Sequence, residues 1–121
     1  MKVLVAIVIL LSIGSFAWAI EPLSTESKIL GLSFLALEIV DWGQTHYIAD
    51  HPEEYTESNP ILGNHPSRRE VNAWFIGSTV VCGTIFFFLP DKYRSIFAAF
   101  GFGLEFNAVL NNYRSSVRFS F

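Results

Sequence analysis

Three carboxylates set in apolar sequence, Glu38, Asp41 and Glu105, are the residues best placed to do chemistry in this chain. Glu38, Asp41 and Thr45 follow i, i+3, i+7 spacing, which puts them on one face of a helix, with Trp42 at its border. Glu38 lies nine residues after Ile29, about 14 Å along a helix, and Glu105 lies ten after Ser95, about 15 Å. If both helices descend in the same direction, the two glutamates are level. Asp41 is then expected opposite Ala108, and Thr45 opposite Asn112. Ionisable groups at such depth in a membrane face the bundle interior and mark an ion, proton or ligand site. The alternative is a hydrogen-bonded polar core that only locks helices together. Two carboxyls shielded from water cannot both ionise cheaply, so at least one is expected to hold a proton unless a cation or histidine compensates.

With Glu57 from a polar loop, these acids form the candidate set for catalysis: Glu38, Asp41, Glu105 and Glu57. A divalent metal is a weaker alternative, with Glu38, Asp41, His46, His65 and Glu105 as ligands and His51 behind them. Against it, His46 stands five residues after Asp41, about 140° around a helix, and the chain has no H-E-x-x-H or H-x-x-x-H spacing. No cofactor is expected. The loop Glu57-Ser58-Asn59-Pro60-Ile61-Leu62-Gly63 reads either as a recognition element or as a turn packing Ile61 and Leu62 on the bundle. No nucleophile elbow or phosphate-binding glycine loop is present in the sequence.

The elements that must position these groups are helical. Residues 1–19 have the parts of a secretory signal: Met1-Lys2, an apolar run, and Ala17-Trp18-Ala19 as a cleavage site. An uncleaved first membrane helix is the other reading. Residues 20–121 then form a single helical domain. Ser24, Thr25 and Ser27 offer caps for a helix over about 29–49. A polar loop covers 50–70, in which His51-Pro52-Glu53-Glu54 is able to open a short helix. Ser67-Arg68-Arg69-Glu70 reads as a capping box before a helix over 71–89, a stretch with no charged side chain. An aspartate at position 67 is expected to serve as well, since its charge suits a helix start. Gly77, Ser78, Cys82, Gly83 and Thr84 suit close helix approach. Pro90-Asp91 breaks that helix and Lys92-Tyr93-Arg94 makes an interfacial turn. The last helix, over about 92–112, carries Ala98, Gly101, Glu105, Ala108 and Asn112 on one small, polar face.

Composition sets the class. Of 121 residues 51% are apolar and 16% charged, and 12 are Phe, whereas soluble domains carry about 25% charged residues. Disorder is excluded, because it needs low hydrophobicity and high net charge. A net charge of −3 gives no basic footprint for nucleic acid. One cysteine, Cys82, excludes an internal disulfide framework. The expected fold is an all-α integral membrane bundle: a signal or first helix plus three transmembrane helices. An exported start places Lys28, Lys92 and Arg94 outside and Arg68, Arg69, Arg114 and Arg118 inside, a weak positive-inside bias. The localisation expected is a bacterial-type inner membrane, multi-pass, with the C-terminus cytoplasmic.

Asp41-Trp42-Gly43-Gln44-Thr45, Glu57-Ser58-Asn59-Pro60-Ile61-Leu62-Gly63 and Pro66-Ser67 before an apolar helix together resemble a group of small bacterial and prophage-borne membrane proteins. The resemblance covers roughly residues 35–112 and implies the membrane class, with no activity to carry over. The expected function is therefore membrane association, with the lipid bilayer, a membrane-protein partner or a second copy as partners. The alternative is an intramembrane enzyme or an ion or proton site built on Glu38, Asp41 and Glu105.

Overall fold

The computed structural model describes residues 21–121. The signal-like segment lies outside the described residues. Three helices follow one another: α1 (Thr25–Asp50), α2 (Arg68–Phe88) and α3 (Asp91–Arg114), with no strand among the described residues. α1 and α3 run in the same direction and form the principal contact; α2 returns antiparallel, and α2 and α3 touch least.

Each helix begins with a local device. Ser24 caps α1, its hydroxyl accepting from the amide of Ser27, so the helix starts four residues earlier than its apolar run. Ser67 and Glu70 form the capping box of α2: each side chain accepts from the other's backbone amide. The Ser67 hydroxyl also donates to Glu70 Oε2 at 2.7 Å. An aspartate at 67 would set its carboxylate against that oxygen, so the sequence-based expectation of equivalence is revised. At α3 the residues Lys92-Tyr93-Arg94 are not an interfacial turn. They form the first helical turn, because Pro90 supplies the N-cap carbonyl and Tyr93 and Arg94 donate to it.

Arg94 is 1% exposed. Its Nε donates to Phe86 O at 3.0 Å and Nη2 to Phe87 O at 2.8 Å. Nη1 donates to Glu21 O at 2.8 Å and Pro22 O at 3.3 Å. The last carbonyls of a helix have no intrahelical donor, and here a guanidinium fork supplies it. Asp91 joins the same cluster, accepting from the Ser24 amide and the Ser27 hydroxyl and lying 3.6 Å from Arg94. One end of the bundle is thereby tied by a network of polar groups.

The opposite end is aromatic. Trp42 of α1 stacks on Phe75 of α2 at 5.9 Å and 6° between planes. Phe121 meets Trp42 and His46 from the C-terminal tail. Ser120 N–H donates to Gly43 O, and the Phe119 ring lies where a Cβ on residue 43 would stand, 2.5 Å from its built position. Only a glycine admits that approach. Asp50 pairs with Arg68 at 2.8 Å, bracing the ends of α1 and α2.

The loop departs from expectation in two places. His51 to Glu54 makes one turn and no helix. Ile61 is 73% exposed, so it does not pack on the bundle; the side chain that turns in is Glu57, with 8% exposed. Asn59 explains this local shape: its amide donates to Glu57 Oε1, its own Oδ1 accepts from Ile61 N–H, and Gly63 closes the turn at φ 75°.

Two predictions follow from these ends. Ser67→Ala should cost about 1 kcal/mol through loss of a cap, and Ser67→Asp should be destabilised as well, with Ser67→Thr tolerated. Denaturation in detergent checks this; an aspartate variant as stable as wild type would refute the Glu70 contact. The second concerns acid. The Ser24 amide, the Ser27 hydroxyl and the nearby Arg94 hold Asp91 below the usual carboxylate range. Its stabilising contribution is complete above about pH 4 and is lost as pH falls through the lower folded value. The melting-temperature gap between wild type and Asp91→Asn should narrow as pH is taken from 7 to 3. Parallel curves would contradict it.

Candidate functional site

Glu38 leaves α1 toward α2 and α3 and is 5% exposed. Its Oε1 accepts from the Ser78 hydroxyl at 3.2 Å, a proton that Ser78 shares with Phe75 O in its own helix. Its Oε2 has no hydrogen-bond partner among the described residues. Glu105 of α3 lines the same cavity as Glu38, and its Oε2 is likewise without a partner. The depth arithmetic thus brings the two glutamates to one space, as the matched spacing from Ile29 and Ser95 requires.

That cavity, of about 280 Å³, lies between α2 and α3 with α1 behind it. Trp74, Phe75, Phe100 and Leu104 are among its walls. A second cavity of about 420 Å³ lies toward the Arg94 end and shares Phe34, Cys82 and Phe97 with the first. The cause is the way α2 is held. Its C-terminal end is fixed by Arg94 and by Phe86 resting on Gly31; its N-terminal half is fixed by Trp42, Phe75 and Arg68. The middle of α2 stands away from α3. Among the described residues nothing lies within 4 Å of a Cβ built on Gly77 or Gly83, so these two glycines serve no close helix approach there, while Ser78 reaches Glu38 of α1. On α3 the small face does serve it: Ala98 is buried and Gly101 receives the ring of Phe34.

Asp41 is placed one turn away from the expected neighbour. It accepts from Asn112 Nδ2 at 3.0 Å instead of facing Ala108, because the longer amide reaches up along α3. Asp41 also lies within electrostatic reach of Glu105, Glu57 and Glu38. Glu38 and Glu105 line the cavity and Asp41 stands within reach of both and of Glu57, so the four candidate acids come together from two helices and a loop. Gln44 Nε2 reaches Val109 O at 3.4 Å, another cross-link between α1 and α3.

The histidines go elsewhere. His46 is 5% exposed and its Nε2 lies 2.7 Å from Asn72 Oδ1, which also accepts from Trp42 Nε1 at 2.9 Å. His51 stacks on Tyr47 at 4.1 Å, and His65 is exposed in the loop. Among the described residues no group of three or more His, Cys, Asp or Glu side chains could hold a metal ion.

Sequence reasoning missed Arg94, Asn72 and the C-terminal tail. Arg94 carried one available signal: it follows Pro90 by four residues, beside a helix end that has no glycine to terminate it. The tail, SSVRFSF, carried none, since its partners Gly43 and Trp42 are distant in the chain.

Cysteines at positions 38 and 105 in a Cys82→Ser background should cross-link readily. A pair at 39 and 105 should not, because Ile39 is on the outward face with 53% exposed. Equal yields for both pairs would show that the acids do not share a space. Compared with protein-family models, with curated proteins and with solved structures, the chain matches none of them.

Proposed function

We propose that this chain is a multi-pass inner-membrane protein, a three-helix bundle that works through contacts made within the bilayer. The observation that carries the reading is an inverted polarity. Ser27, Glu38, Gln44, Thr45, His46 and Arg94 are buried, whereas Ile29, Leu32, Val80, Ile96, Phe100 and Leu104 are more than half exposed. Water would favour the reverse, and apolar patches of this extent mark an apolar environment or a partner. By length and composition one described helix, Arg68–Phe88, is apolar enough to cross a membrane. α1 falls short chiefly through polar groups that turn inward, Ser27, Glu38, Gln44, Thr45 and His46, which is where membrane helices keep them.

Midway along α3 one polar group faces outward, in addition to Lys92, Asn111 and Arg114 near the helix ends. Asn107 is exposed beside exposed Gly103 and Leu104. In lipid such an amide gains by hydrogen bonding to a neighbouring helix, and glycine permits close approach. This supports association with a membrane partner or a second copy as the mode of action. The second reading, an intramembrane ion or proton site, is favoured by the partnerless oxygens of Glu38 and Glu105.

Reporter fusions at Ser67, Lys92 and Phe121 test the membrane reading. They should report inside, outside and inside, and the chain should resist extraction at alkaline pH. A chain released by carbonate, or a periplasmic report at Phe121, would overturn it.

A further inference from the structure

We propose that the cleft between α2 and α3 binds a single-chain amphipathic amine, its ammonium held by Glu38 and Glu105 and its alkyl chain lying in the adjoining apolar cavity. The inference rests on the membrane reading above and assigns that site a ligand. It begins from an electrostatic shortage. Glu38 is more than nine-tenths buried, lines the cavity, and has one carboxyl oxygen with no partner among the described residues. Glu105 presents a second such oxygen to the same space. A buried acceptor left without a donor is costly, and more so when it bears charge.

Among the described residues the cavity wall has no cation to supply. Its lining includes no Lys, Arg or His, and its one hydroxyl, on Ser78, already turns to Glu38 Oε1 and Phe75 O. Arg94 is engaged by carbonyl oxygens at the far end, and His46 by Asn72. A primary ammonium has three donors, no acceptor and one positive charge, so it answers both oxygens at once. The surrounding rings of Phe34, Trp74, Phe75 and Phe100 add faces that favour a cation over a neutral head.

The rest of the ligand is set by the second cavity, which shares the side chains of Phe34, Cys82 and Phe97 with the first as common walls. Of the polar groups on its wall, Ser27 bonds Asp91 and Thr79 bonds Phe75 O, while Lys28 is exposed, ten residues before Glu38 on the same helix. Leu32, Leu35, Phe86 and Phe87 leave a wall for methylenes. From the level of Lys28 to that of Glu38 is ten residues, about 15 Å along α1, which suits an alkyl chain of medium length. Both cavity volumes, about 280 and about 420 Å³, are on the scale of small-ligand sites.

The test uses the full chain in phosphatidylcholine nanodiscs with radiolabelled n-decylamine, after subtraction of binding to empty nanodiscs. Expected is one saturable equivalent per chain, displaced by unlabelled decylamine at least tenfold better than by n-decanol, decanoate or decyltrimethylammonium. Glu38→Gln and Glu105→Gln should each weaken binding at least tenfold, and Glu105→Asp, which keeps the charge, should retain it. Helix content by circular dichroism separates lost binding from lost fold. Should either Gln variant not fold, the ranking of the four head groups on wild type decides. Non-saturable uptake, or equal displacement by amine and alcohol, would overturn the proposal while leaving the topology result intact. A chain extracted from membranes by carbonate would instead fail the reading on which it rests.

Discussion

Arg94 is the constraint on which the architecture turns. A guanidinium with 1% of its surface exposed must have its donors met, since an isolated buried charge is prohibitively costly. Here the partners are backbone carbonyls of Glu21, Pro22, Phe86 and Phe87, with Asp91 nearby. One side chain thus joins the approach to α1, the end of α2 and the start of α3. Removing it would strand carbonyls from two segments at once, so it acts as a clamp and not as a surface charge.

The clamp explains the open middle. α2 is secured near Phe86 by Arg94 and near Phe75 by Trp42, and the helix is too stiff to follow α3 closely between those points. α1 and α3 meanwhile pack tightly, through Phe34 on Gly101, Asp41 with Asn112 and Gln44 with Val109. The result is a close pair of helices with a third held at its two ends. Space is left where α2 carries Ser78, Cys82 and Gly83, and the carboxyls of Glu38 and Glu105 face into it.

The same arrangement reconciles two features that conflict in a water-soluble protein. The polar side chains turn to one another inside, and many of the large apolar ones lie on the outside. Outward Leu, Ile and Phe with inward Glu, Gln, Thr and Arg is the distribution that a hydrocarbon solvent rewards. The tail then closes the end opposite Arg94 with Phe119 and Phe121 over Gly43 and Trp42, covering the backbone where α1 is most polar.

Much of this could be read from residue order. Three helices, the capping box at Ser67, the break at Pro90 and the shared level of Glu38 and Glu105 all depend on local periodicity, local hydrogen bonds or a constant rise per residue. Such rules operate within a few residues and carry their information in the chain. The burial of Arg94 and Glu57, the exposure of Ile61, the reach of Asn112 to Asp41 and the docking of the tail do not. Each depends on which groups from distant segments meet. Spacing along one helix sets the face and depth of a side chain. It cannot say whether the neighbouring helix is in contact or stands away, and that separation is what turned a polar stripe into a cavity with two acids at its wall.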